Sequence, residues 1–193
     1  MARSVDPTRC PWCLVSPVMT AYHDTEWGVP VHDDRLLFEH LVLDSFQAGL
    51  SWAVVLNKRD NFRRAFDGFE PAKVARMTGR RVDRLLQDPG IIRNRKKIEA
   101  TIGNARAYLE IMATRGSFAT LLWEYADGAP RQNRRRRLSE IPTRSAASDR
   151  MSAGLKAAGF RFVGTTICYA FMQAVGMVND HLVTCFRWKE LGR

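Results

Sequence analysis

The chain has 193 residues, 46% of them hydrophobic, which is enough to bury a core without cross-links and too apolar for a disordered polypeptide. Thirty Lys and Arg stand against twenty Asp and Glu, a formal charge of +10 that points to a polyanionic partner such as nucleic acid or an anionic membrane surface; a merely soluble basic protein is the plainer alternative. The opening residues 1–7 lack the apolar stretch of a signal peptide, and no later run approaches the ~20 apolar residues of a membrane span, so a soluble, cytoplasmic protein is expected, with no membrane partner.

In chain order the pattern is helix after helix, an all-α reading in one domain over residues 1–193, with sparse β signals. Residues 9–30 are irregular, rich in Pro, Gly and aromatics, and need an anchor to stay ordered. Asp33 or Asp34 is placed to cap a first long helix running toward Ala48. A second helix is expected from about Trp52 to Phe66, with Val54, Val55, Phe62 and Phe66 on its apolar side, and Pro71 suits the first turn of a short third. A fourth, Arg81 to Gln87, stops at Asp88-Pro89-Gly90, where the glycine can take positive φ. The next helix reaches about Ala113 and spaces Ile98, Ile102, Ala105 and Leu109 for burial. Ser117 caps another, Phe118 to Tyr125.

Residues 128–145 hold two prolines and the run Arg134 to Arg137, which reads as a charged connection. Ser148 begins a helix that stops at Gly159, and Thr165 or Thr166 caps an apolar helix from Ile167 to Val175. Together they form a helix-hairpin-helix pattern over about 148–175, whose glycines allow backbone N–H groups to approach phosphate oxygens. The Pro89-Gly90 corner has a similar shape, and either can be ordinary helical packing.

Two places carry chemistry. In residues 44–52, Asp44 falls where an apolar run expects a core residue, and a buried carboxylate is costly without a partner. Gly49 then breaks the helix, Leu50 and Ser51 are presented, and Trp52 restarts it, a layout suited to a pocket for a flat polar ligand or, alternatively, to a plain helix-loop-helix corner. Near the end, His181 and Cys185 stand about one helical turn apart, while the irregular N-terminal segment offers Cys10, Cys13 and His23. Two ligands from each end would close a tetrahedral zinc site with no open position, a structural metal; unrelated cysteines and histidines are the alternative. The four cysteines are too few and too unevenly spaced for a disulfide framework.

Residues 22–30 (Tyr-His-Asp-Thr-Glu-Trp-Gly-Val-Pro), 47–52 (Gln-Ala-Gly-Leu-Ser-Trp), 90–93 with Lys97 and Ile98, 162–166 (Phe-Val-Gly-Thr-Thr) and 179–181 (Asn-Asp-His) together resemble 3-methyladenine DNA glycosylase I, in order from Cys10 to about Cys185. The resemblance implies a helix-hairpin-helix glycosylase fold whose ends, 10–23 and 181–185, are joined by one structural zinc. It places the metal ligands on Cys10, His23, His181 and Cys185 and leaves Cys13 unassigned. The base-contacting carboxylate falls on Asp44, where better-known members carry glutamate, the stacking tryptophan on Trp52, and further pocket aromatics on Tyr22 and Trp27. Met19 stands where some members have tyrosine.

The implied activity is monofunctional excision of 3-methyladenine from double-stranded DNA containing alkylated bases, by a monomer. Gly49, Leu50 and Ser51, with Gly164, Thr165 and Thr166 of the hairpin, are the expected DNA contacts, Leu50 as a wedge. No lysine follows the hairpin, so no lyase activity is expected, and Asp180 is read as structural. Two alternatives are a non-catalytic, zinc-stabilised DNA-binding module and a glycosylase of shifted base specificity.

Overall fold

The computed structural model describes residues 6–192; the first five residues, part of the stretch that argued against a signal peptide, lie outside that range. Helices run in chain order as α1 (Pro17–Thr25), α2 (Asp34–Gln47), α3 (Trp52–Leu56), α4 (Arg59–Ala65), α5 (Pro71–Val74), α6 (Gly79–Leu85), α7 (Arg95–Arg115), α8 (Phe118–Glu124), α9 (Ala146–Ala157), α10 (Thr165–Ala174) and α11 (Phe186–Glu190). The architecture is mostly helical, as the periodicity implies. None of these helices is long and apolar enough to cross a membrane.

Helix α2 is the centre. Asp33 caps it, its carboxylate accepting the Leu36 N–H at 2.7 Å. Residues 37–46 are all buried, so the helix has no solvent face beyond its first turn, and α3, α7, α8 and α10 pack around it. Leu37, Phe38, Leu41 and Phe46 join Phe62, Phe66, Ile98, Ile102, Phe118 and Phe171 in one apolar core.

Several expectations needed correction. The helix expected from Trp52 to Phe66 is two, α3 and α4. The Asn57 side chain donates to the Ala53 carbonyl at 2.8 Å and the Lys58 N–H reaches back only three residues to Val55, which tightens and ends the first turn. The break leaves Val54 exposed while Phe62 and Phe66 reach the core. Gly90 does not adopt positive φ. It is required instead by crowding: its N–H donates to Asp88 Oδ1 at 2.7 Å, and a Cβ would lie 2.8 Å from that oxygen and 3.1 Å from Asn61. On α7, Leu109 is exposed and Tyr108 and Ile111 are buried in its place.

Helix α9 starts earlier than expected. Ser145 is its cap, in a reciprocal pair with Ser148, whose hydroxyl accepts the Ser145 N–H at 2.8 Å. Neither Thr165 nor Thr166 caps α10; that position is Gly164, and the Thr165 hydroxyl donates to Asp149 instead. The charged connection is also not structureless. Arg131–Gln132 (β1) pairs in parallel with Val178–Asn179 (β2), and Arg135 bridges to Leu182. The segment then folds back as a short 3-10 turn at Leu138–Glu140. Tertiary pairing supplies a short strand just before the four arginines, where the sequence gave no signal for one.

Candidate base pocket and metal centre

A cavity of about 400 Å³ opens between α1, α2, α3 and α10. Its walls include every residue expected in the base pocket: Met19 and Tyr22 from α1, Trp27 just after it, Asp44 from α2 and Trp52 opening α3. These positions follow from local structure. Met19 and Tyr22 are three apart on one helix face, and Gly49, at φ +80°, turns the chain so that Trp52 points back at Tyr22. The Tyr22 and Trp52 rings lie 5.4 Å apart and tilted by 49°.

The polar groups are few. Asp44 is 2% exposed, and its Oδ2 is buried without a hydrogen-bond partner among the described residues. The indole Nε1 of Trp52 is in the same condition. Burial alone pushes the Asp44 carboxyl well above the ordinary carboxylate value. Burial, and then the nearby Asp44, raise the Tyr22 phenol as well, so that hydroxyl stays protonated. An unpartnered acceptor, an unpartnered donor and aromatic faces around a cavity suit a flat, polar, electron-poor ligand.

The structure adds residues that the sequence reasoning missed. Trp12 lines the pocket, packed edge-on against Trp27 at 4.9 Å. From α10 come Tyr169, Ala170, Gln173 and Ala174, beside Thr166, which was expected only as a DNA contact. A spacing of three to four residues marked this face in the sequence, as a polar stripe on an otherwise apolar helix. Leu138, Ile141, Pro142 and Thr143 form the far wall, inside the stretch read as a charged connection. Asp180, read as structural, is fully buried and takes Tyr169 Oη at 2.7 Å, Gln173 Nε2 at 2.8 Å and Asn133 Nδ2 at 2.8 Å. It fixes two pocket-lining side chains and the returning segment at once.

The expected DNA contacts divide into two loops. Gly49, Leu50 and Ser51 are exposed, and a Cβ at Gly49 would meet open space. Gly164 and Thr165 are half-buried at the hairpin, and Thr166 is exposed at the pocket rim.

Cys10, His23, His181 and Cys185 converge, all buried, with their ligand atoms within 4.8 Å of one another. Nε2 of His23 and Nδ1 of His181 are 3.1 Å apart; the Cys185 Sγ is 3.4 and 3.5 Å from these two atoms, and the Cys10 Sγ is 3.7 Å from His181 Nδ1. Tetrahedral zinc with bonds of about 2.0 to 2.3 Å sets its ligand atoms roughly 3.3 to 3.8 Å apart, close to this spacing. Each imidazole is oriented from outside: His23 Nδ1 lies 2.8 Å from Asp24 Oδ1, and His181 Nε2 lies 3.0 Å from the Trp27 carbonyl. Cys13 is buried but lies outside this cluster, its thiol donating to the Cys10 carbonyl at 3.1 Å. The four residues can therefore hold a metal ion, and their set leaves no position for water.

Residues 12–188 match the methyladenine glycosylase family. The chain is 53% identical over 177 residues to the DNA-3-methyladenine glycosylase 1 of Escherichia coli (strain K12), covering 92% of this chain and 95% of that protein. It is similar to a crystal structure of 3-methyladenine DNA glycosylase I, with a TM-score of 0.91 and 51% identity over 93% of this chain and 98% of that one. It is also similar to the Staphylococcus aureus 3-methyladenine DNA glycosylase I, whose structure addresses 3-methyladenine recognition, at a TM-score of 0.89 and 39% identity, covering 92% of this chain and 95% of that one.

Proposed function

Because this chain belongs to the methyladenine glycosylase family, we propose that it excises 3-methyladenine from alkylated double-stranded DNA, with Asp44, Tyr22 and Trp52 as the side chains that meet the base. The observation that carries this reading is the unpartnered carboxyl oxygen of Asp44 in an aromatic cavity of about 400 Å³.

Alkylation at N3 leaves the base positively charged in DNA and weakens its glycosidic bond. When that bond breaks, the electron pair returns to the base, which leaves neutral, and water adds to the oxocarbenium-like sugar and gives up a proton. The base is a good leaving group, so the protein's main tasks are to extract it, hold it and complement its charge. Flipping costs a few kcal/mol, least for a damaged base. Trp52 and Tyr22 stack on the cationic ring, a contact worth about 0.5 to 2 kcal/mol that neutral adenine does not give. Asp44, ionised against that ring, accepts a charge-assisted hydrogen bond from the exocyclic amine. Trp27 and Met19 complete the walls. Leu50 fills the gap left in the base stack, flanked by Gly49 and Ser51, and Gly164, Thr165 and Thr166 meet the backbone. Among the described residues no lysine lines the pocket to form a Schiff base, and the reaction ends at hydrolysis.

Cys10, His23, His181 and Cys185 hold one structural zinc in this reading, which fastens the N-terminal segment to the segment after β2. Because α1 carries both His23 and the pocket residues Met19 and Tyr22, a metal held by this set would stiffen a pocket wall. The enzyme acts as one domain, supported by an apolar core continuous from Leu37 to Val178, and as a monomer in the cytoplasm.

The test is to incubate the protein with methylated duplex DNA and identify the released bases by chromatography. Release of 3-methyladenine is expected. Duplex binding with no base released would sink the reading, and release of a different base would assign the pocket a different specificity.

A further inference from the structure

The two loops placed on DNA, the turn at 48–51 and the hairpin at 161–164, are held by one helix from behind. Lys97, buried on α7, donates from Nζ to the Phe46 carbonyl at 2.7 Å and the Ala48 carbonyl at 2.6 Å, closing the last turn of α2 just before Leu50. The same ammonium lies 6.0 Å from the centre of the Phe162 ring, in the hairpin. Phe162 has φ +57°, a left-handed backbone that a bulky side chain adopts only when its surroundings impose it. Its carbonyl is 3.1 Å from the Ser45 hydroxyl. Two turns further along α7, on the same face, buried Asn104 engages both backbone groups of Arg161, donating to its carbonyl at 3.1 Å and accepting its N–H at 2.8 Å.

A buried ammonium is costly, and among the described residues no carboxylate offsets it. An apolar residue would fill the same space. What an apolar residue lacks is the ability to hold two carbonyls of one loop while facing the aromatic ring of another. We propose that Lys97 is a positioning residue for excision: through the Phe46 and Ala48 carbonyls and the Phe162 ring it fixes the Leu50 turn at a set distance from the hairpin, so that wedge and backbone grip engage one duplex together. This rests on the glycosylase reading above. Lys97 is not among the residues that line the pocket, and Asn104 supports the hairpin end of the same strut.

The variant Lys97→Met keeps the apolar stem and removes the donors. Three quantities are measured against wild type: affinity for free 3-methyladenine by tryptophan fluorescence, affinity for a duplex containing an abasic-site analogue, and kcat and KM on methylated duplex. Expected is free-base affinity within about twofold of wild type, because the pocket is intact, with duplex affinity and kcat/KM lowered about 10- to 100-fold, as for a misplaced binding element. Lys97→Arg, which again offers charged donors, is expected to restore most of the loss.

Unchanged duplex affinity and kcat/KM in Lys97→Met would overturn the proposal. So would a loss of free-base affinity equal to the loss of excision, which would make Lys97 a general support of the fold. If Lys97→Met does not fold, Lys97→Gln, with a shorter reach and no charge, is put through the same measurements with the same criteria. Absence of base release by the wild type would overturn the glycosylase reading separately, and duplex affinity would still decide the role of Lys97.

Discussion

Asp44 sets function against stability, and Asp44→Asn separates the two. The residue is buried on the central helix with Oδ2 unpartnered, and burial raises its carboxyl well above the ordinary value of 3.8. Between that ordinary value and the raised one, the unfolded chain has released the proton and the folded protein has kept it. Folding then takes up a proton, so stability is greatest at the acidic end of this window and falls by about 1.4 kcal/mol per pH unit as pH rises through it. Asparagine has nearly the same shape and does not ionise. It keeps a buried polar group in the same place but escapes the cost of ionisation, so the Asn variant is expected to melt above wild type by about 3 to 6 °C for each pH unit into this window, from about 1.4 kcal/mol per unit and about 2 to 4 °C per kcal/mol at this chain length.

The same substitution removes the charge that complements the alkylated base. Excision is expected to fall about 10- to 150-fold, the equivalent of a charge-assisted hydrogen bond of about 1.5 to 3 kcal/mol. Wild-type excision should rise with pH as Asp44 ionises, and the variant's should not. The assays are thermal melts of both proteins from acidic to neutral pH and base release from methylated duplex over the same range. An Asn variant that melts lower than wild type with no pH dependence in the difference would refute the account of burial. Undiminished excision would refute the role of Asp44 in reading the base.

The metal centre gives two linked expectations. Purified protein should contain about one equivalent of zinc; His181→Ala should lose it and melt lower, whereas Cys13→Ser should keep it, because the Cys13 thiol faces the Cys10 carbonyl. Elemental analysis beside a melting curve reads both, and a metal-free wild type of unchanged stability would contradict them. Leu50, 43% exposed, contributes little to the core. Leu50→Ala should leave stability within about 0.5 kcal/mol while slowing base release from duplex severalfold, and equal rates would remove it as the wedge. Met19→Tyr places an aromatic wall beside Tyr22 and should tighten binding of 3-methyladenine about two- to tenfold, an aromatic pair being worth about 0.5 to 1.5 kcal/mol; a titration showing weaker binding would mean the pocket has no room for the ring.

Local signals carried much of the reading. Asp33 before a dense apolar run, Pro71 at a first turn and Ser117 before Phe118 each name a helix start because capping and proline geometry act within a few residues. The charged residue at 44 within an apolar run, the glycine at 49 and the indole at 52 marked the pocket for a related reason. Each contradicts its local pattern, and such contradictions persist only where something compensates them.

What the sequence could not supply were relations between distant segments. Arg131 and Gln132 show no strand pattern; they form β1 because the edge of β2 is available to them. The Leu138 to Thr143 wall of the pocket follows that pairing in the chain and is anchored by Ile141, which packs against the core. The H-x-x-x-C spacing at 181–185 left its partners open among Cys10, Cys13 and His23, and only the tertiary structure gathers Cys10 and His23 with His181 and Cys185 into a cluster able to hold a metal, while the Cys13 thiol donates to the Cys10 carbonyl. Lys97 is the clearest case. In sequence it is one of several basic residues at the start of a helix; in the fold it is buried between two loops that burial and hydrogen bonding bring together. Periodicity and caps are properties of neighbouring residues and can be read from the chain, whereas the separation of two loops is set by the core packed between them and exists only once that core has formed.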